Sequence, residues 1–249
     1  MLPRVIARMD IKSKNLIKGV HLEGLRVLGE AKLFAKIYYE QGADEIIYLD
    51  SVASLYERSY LVDLIKETAN DVFIPLTVGG GIKTPKDVES ILRAGADKIA
   101  INTAAVKNPS IIKEIATVFG SQCIIVQVDV KRTALGFEVY IDGGREKTGL
   151  SALEWIKEAQ DLGCGEIILT SIDQDGTKKG FDVELISKVS PLVHVPLIVS
   201  SGFGKLKDLS EIKKFNLDAL AIGSALHYNL CTISDIKKFY GFDDSDEKN

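Results

Sequence analysis

The segment I-P-L-T-V-G-G-G (residues 74–81) is answered 121 positions further on by V-P-L-I-V-S-S-G (residues 195–202). Two more pairs share that offset. Q-G-A-D-E-I-I-Y-L-D (41–50) matches L-G-C-G-E-I-I-L-T-S (162–171), and A-D-K-I-A-I-N-T-A-A (96–105) matches L-D-A-L-A-I-G-S-A-L (217–226). Any two apolar runs look alike, but a common offset that also aligns Glu and Gly positions points to internal duplication. The runs V-I-A-R-M-D (5–10) and I-I-V-Q-V-D (124–129) extend the match at an offset of 119, each ending in aspartate.

These blocks belong to a series of eight short β-branched runs, at 5–10, 45–50, 74–79, 98–103, 124–129, 166–171, 195–200 and 219–224. Near-continuous apolar runs are the mark of parallel strands buried on both faces, and amphipathic stretches such as P-K-D-V-E-S-I-L-R (85–93) supply helices between them. Eight such units in 249 residues, about 31 residues each, predict an α/β fold, a closed (β/α)₈ barrel made of two homologous half-barrels. No Pro/Ser-rich linker interrupts the series. Residues 1–242 are therefore expected to form one barrel domain, followed by an acidic, disordered tail at 243–249.

Composition narrows the class further. With 46% hydrophobic and 27% charged residues, the chain is neither disordered nor collagenous nor a disulfide scaffold. A net charge of −4 provides no global basic field, so no nucleic acid or membrane partner is expected and any phosphate site must be local. The amino-terminal M-L-P-R-V-I-A-R-M-D lacks a signal-peptide core, and Cys123, Cys164 and Cys231 are odd in number and far apart. Both observations predict a cytoplasmic protein with reduced thiols. His21, His194 and His227 do not cluster, so no metal is expected, and no cofactor either.

Barrel sites lie at the carboxyl ends of the strands, so the residues just after the apolar runs matter most. Gly81, Asn102 and Thr103 follow the third and fourth runs; Gly202, Gly223 and Ser224 follow the seventh and eighth. Glycine lets backbone N–H groups approach an anion, and Thr or Ser adds a hydroxyl donor. One such turn is a weak signal. Two related copies predict a ligand with two phosphates, and S-I-D-Q-D-G-T (171–177) adds Asp175, Gly176 and Thr177 to the second copy. Between them, Asp10 and Asp129 end strands four apart in a ring of eight and face each other across the mouth. That placement suits a general acid and a general base, although a lone strand-end Asp is as often a helix cap. Asp50 and Asp173 are weaker candidates, and Lys18 in the first loop is placed to reach a phosphate.

At the other rim, charge marks the starts of four strands: Arg4 just before the first run, and Glu45, Lys98 and Glu166 opening theirs. A ring of salt bridges there reads either as a stabilising floor or as a gate or docking face.

R-V-I-A-R-M-D-I-K-x-x-x-L-I-K-G, F-I-P-L-T-V-G-G-G-I, A-D-K-I-A-I-N-T-A-A, V-D-V-K-R and L-T-S-I-D-Q-D-G-T-K-K-G together resemble the cyclase subunits of imidazole glycerol phosphate synthases, from about Leu2 to about Tyr240. The resemblance implies an enzyme of the lyase type in histidine biosynthesis. Ammonia from a glutaminase partner would pass through the barrel and convert a bisphosphorylated ribulosyl formimino carboxamide ribonucleotide into imidazole glycerol phosphate and an aminoimidazole carboxamide ribonucleotide. It implies Asp10 and Asp129 as the acid/base pair, Lys18 in a mobile first loop, and Gly81, Asn102 and Thr103 as one phosphate site. Gly176, Gly202 and Ser224 would form the other, Arg4, Glu45, Lys98 and Glu166 an ammonia gate, and Asp97 a residue facing the glutaminase.

Three places depart from the family pattern: Ser13-Lys14-Asn15 in the first loop, Arg8 where a small residue is usual, and S-S-G-F-G at 200–204. Such departures resemble paralogues that channel ammonia to a sugar amidotransferase in surface-polysaccharide synthesis, which is the alternative reading. A third, the single-chain isomerase sharing the fold, is disfavoured by V-D-V-K-R and the complete gate.

Overall fold

The computed structural model describes residues 2–51, 59–215 and 217–241. The tail expected at 243–249 lies outside the described residues. Among the described residues, twelve strands form one sheet: β1 (Arg4–Lys12), β2 (Asn15–Val20), β3 (Glu23–Glu30), β4 (Glu45–Asp50), β5 (Leu76–Gly79), β6 (Lys98–Ile101), β7 (Ile124–Thr133), β8 (Gly136–Ile141), β9 (Glu146–Ser151), β10 (Glu166–Ser171), β11 (Leu197–Ser200) and β12 (Ala219–Ile222). Eight of them close a parallel barrel in the order β1, β4, β5, β6, β7, β10, β11, β12, and β12 returns to β1. They are the eight runs read from the sequence.

The other four strands form two antiparallel hairpins, the first of them in the stretch expected as a loop. The pair β2/β3 folds back on the end of β1, and β8/β9 folds back on the extended β7. The duplication thus reaches beyond the barrel strands, since each half opens with a long strand and a hairpin. Helices Ala31–Glu40 and Ala152–Asp161 then follow at the 121-residue offset, as do β4 with β10, β5 with β11 and β6 with β12.

Alternation along each strand divides its side chains between two cores. Outward residues such as Val5, Ala7, Met9 and Ile46 pack under the helices. Inward ones form a compact apolar layer of Ile6, Ile47, Ile125, Ile168 and Ile198 with the small Ala100, Ala219 and Ala221. That layer separates two polar ends of the barrel. Helix Pro85–Arg93 lies where its sequence pattern placed it, with Thr84 and Asp87 forming a capping box at its start.

Candidate active site

Each half-barrel brings its aspartate to the mouth on the inward face of its first strand. Asp10 is buried, and its Oδ2 accepts from Lys18 Nζ at 2.7 Å while its Oδ1 accepts from Arg8 Nε at 3.4 Å. Asp129 is equally buried; its Oδ1 accepts from Gln127 Nε2 at 2.8 Å and its Oδ2 from Asn102 Nδ2 at 2.8 Å. Burial works against the charged form of Asp10, but the Lys18 ammonium and the Arg8 guanidinium outweigh it and hold the carboxyl at about 2. For Asp129 burial wins and pushes the carboxyl up, opposed by the Arg8 charge and by hydrogen bonds from Gln127, Asn102 and Thr170.

One expectation needs correction here. Lys18, expected in a mobile loop, sits in β2 with its ammonium buried between Asp10 and Asp175, at 3.1 Å from both Asp175 oxygens. Burial alone would favour its neutral form, but the two carboxylates outweigh this and keep it protonated. Arg8 is buried within β1. Its guanidinium lies inside the barrel, where NH1 donates to Thr170 Oγ1 at 3.0 Å and to Ser200 Oγ at 2.9 Å.

The two expected phosphate cradles enter their helices with the same backbone conformation. Asn102, before helix Thr103–Lys107, has φ −126° and ψ −80°, while Gly223, before helix Ser224–His227, has −116° and −88°. Around the second cradle the backbone is tight. A Cβ on Gly176 would lie 2.3 Å from the Gly19 carbonyl oxygen, and one on Gly202 would lie 2.0 Å from that of Gly180, both at positive φ. Gly202→Ala is therefore expected to cost at least about 1–3 kcal/mol and to raise KM for a phosphorylated substrate, as urea unfolding and saturation kinetics would show. Gly81 has φ +62°, and Ser201 takes the left-handed place that Gly80 holds in the first half, at φ +84°. Ser201 Oγ donates to Asp175 at 3.3 Å.

In the first cradle the Asn102 amide is engaged by Asp129 and the Tyr140 carbonyl, and Thr103 Oγ1 accepts from the Asp142 N–H. A hollow of about 740 Å³ opens beside the second cradle, lined by Lys18, His21, Arg26, Gly176, Lys178 and Tyr228 among others. The weaker candidates have other partners: Asp50 accepts from Tyr60, and Asp173 accepts from the Arg132 N–H.

At the opposite rim the four charged residues close a ring. Arg4 bridges Glu45 at 2.9 Å and Glu166 at 2.6 Å, and Lys98 bridges the same two at 3.0 and 2.6 Å. Glu45, only 1% exposed, also accepts from Thr77 Oγ1. Asp97 stands exposed beside the ring, and its carboxylate accepts from the Leu76 N–H at 2.8 Å. Asp218 makes the same contact to Leu197 in the other half.

The sequence offers no direct sign of Gln127 and Thr170, which hold Asp129 and Arg8. The offset of 119 that pairs Asp10 with Asp129 also pairs Arg8 with Gln127, and is the signal that would have found the latter. His227 was considered only as a metal ligand. Its Nδ1 lies 2.7 Å from the Tyr38 hydroxyl, and burial followed by the Lys18 charge lowers its pKa to about 4. Unfolded chains take up this proton near pH 6.5, so stability is expected to fall as pH drops from about 6.5 to about 4. Urea midpoints of His227→Phe should lose that part of the slope.

A (β/α)₈ barrel with duplicated halves, a buried aspartate from each half at its mouth and a charged ring at its floor defines a barrel enzyme with a two-sided polar site. A model of the family described as histidine biosynthesis protein matches residues 4–232. The chain is 57% identical to imidazole glycerol phosphate synthase subunit HisF of Legionella pneumophila, over 83% of this chain and 98% of that protein. Similarity to the proteins of the same name from Methanococcus maripaludis (48%) and Bifidobacterium longum (46%) covers 94% of each chain. The chain belongs to the histidine biosynthesis protein family. None of its helices, among the described residues, is long and apolar enough to cross a membrane.

Proposed function

We propose that this chain is the cyclase subunit of an imidazole glycerol phosphate synthase, acting in the cytoplasm with a glutaminase partner. Its substrate is the bisphosphorylated ribulosyl formimino carboxamide ribonucleotide. The observation that carries the reading is the pair Asp10 and Asp129, buried on opposite strands at one end of a barrel whose other end is closed by the four-residue ring. The HisF names of the relatives support it, and the sugar-amidotransferase reading gains nothing from them.

The reaction needs proton traffic on two sides of one substrate. Nitrogen that adds as ammonia must lose protons as the imidazole ring closes, and the departing aminoimidazole nitrogen must gain one. Asp10 and Asp129 are the groups placed for this. Gly81, Asn102 and Thr103 hold one phosphate, and Gly176, Gly202, Gly223 and Ser224 hold the other, with Asp175 fixing Lys18 beside them. At the floor, Arg4, Glu45, Lys98 and Glu166 admit ammonia, and the rim around Asp97 receives the glutaminase.

The gate assignment is tested by comparing two nitrogen sources. With a purified glutaminase and glutamine, Lys98→Met is expected to make less product per glutamine hydrolysed, while turnover on added ammonium salt stays near wild type. Equal losses on both sources would make the ring a purely stabilising feature.

A further inference from the structure

The half-barrels are duplicates, yet the donors around their aspartates differ in charge. Two positions before each aspartate, on the same inward face, stands Arg8 in one half and Gln127 in the other. Each donates to the Oδ1 of its aspartate, and a second residue donates to each Oδ2. For Asp10 both donors are cations, Arg8 and Lys18. For Asp129 both are neutral amides, Gln127 and Asn102. All four donors and both carboxylates lie inside the barrel or its mouth, and Arg8, Lys18, Asp10 and Asp129 are buried, so water does little to level the difference.

We propose that Arg8 is a positioning residue that divides the labour of the two aspartates, fixing Asp10 as a standing carboxylate and leaving Asp129 to take up and release the proton. The inference rests on the acid/base reading of the pair given above and narrows it: the proton transfers fall to Asp129, and Asp10 faces them as a fixed negative charge. In the step it serves, the Asp129 carboxylic acid gives its proton to the departing amine nitrogen as the carbon–nitrogen bond breaks and its electron pair stays on nitrogen. The resulting carboxylate recovers a proton from the nitrogen that entered as ammonia. Arg8 touches Asp10, Thr170 and Ser200, and acts through Asp10.

Of the other charges facing the pair, the Lys18 ammonium acts in the same sense as Arg8, and it is shared with Asp175. Asp10 meets Lys18 from β2 and His227 from helix Ser224–His227; His227 is largely neutral at pH 7, and Asp175 beyond β10 shares the Lys18 ammonium. Around Asp129 stand Gln127 on its own strand, Asn102 after β6 and Thr170 on β10, with the Arg8 charge across the barrel. The opposed shifts of the two carboxyls agree with the donor sets.

Arg8→Gln gives Asp10 the same neighbour as Asp129, and Arg8→Lys retains the charge. Carbon-detected NMR titration of the aspartate carboxyls in the folded chain reads the effect without any reaction. Asp10 should stay ionised to about pH 3 or below in the wild type, rise by about one unit or more in Arg8→Gln, and return most of the way in Arg8→Lys. In ammonium-driven assays at constant free ammonia, the acid limb of kcat/KM should move up in Arg8→Gln and not in Arg8→Lys. An Asp10 titration unchanged by Arg8→Gln, or shifted equally by both variants, overturns the inference. Wild-type protein that titrates as expected but turns over no bisphosphate substrate leaves the Arg8 asymmetry standing as electrostatics and overturns the acid/base reading along with the catalytic role built on it.

Discussion

Asp129→Asn is expected to lower ammonium-driven turnover by about 10²–10⁴-fold, the range for removing a general acid or base from a positioned site. Asparagine keeps the shape and can still accept from one of the two amides on Asp129, but it cannot hold a transferable proton. Its own NH₂ must meet either Gln127 Nε2 or Asn102 Nδ2, a donor against a donor. Gln127 can relieve this by turning over, because among the described residues its Nε2 donates to Asp129 alone. The fold should therefore survive, with a cost of about 1–3 kcal/mol in urea unfolding. The informative result is a collapse of kcat alongside near-native stability; activity within tenfold of wild type would remove Asp129 from the mechanism.

The largest stability effect is expected at Lys18. Its ammonium is held at 2.7 Å by Asp10 and at 3.1 Å by Asp175, all three side chains less than 8% exposed. Lys18→Met leaves two buried carboxylates without their shared cation, at a cost of about 3–5 kcal/mol near neutral pH. The pH dependence gives the sign of the cause. Without Lys18 burial raises the folded-state pKa of Asp10 above that of the unfolded chain, so the folded form binds more protons and the deficit shrinks as pH falls through the new folded value. Denaturation midpoints measured between pH 7 and pH 4.5 should converge toward wild type, whereas a deficit constant with pH would indicate lost packing instead.

Much of the barrel was legible because parallel strands buried on both faces leave unbroken apolar runs, and these do not depend on distant partners. E-I-I-Y-L-D and E-I-I-L-T-S became β4 and β10 without adjustment. The hairpins were not legible. Segments such as E-G-L-R-V-L-G-E and E-K-T-G-L-S lie largely outside the core and carry little apolar alternation, so pairing with the ends of β1 and β7 decides their structure. That is why Lys18 read as a loop residue. The charged ring could be foreseen because charge at the first position of a buried strand stands out. The lining of the aspartates could not, since Arg8 finds its hydroxyl partners 162 and 192 residues away.

The central claim is that the isolated chain carries the chemistry. Purified protein, given the bisphosphorylated ribulosyl substrate and excess ammonium salt with no partner, is expected to release two products separable by mass, imidazole glycerol phosphate and the aminoimidazole carboxamide ribonucleotide. An unconsumed substrate, or one merely isomerised at unchanged mass, would contradict it.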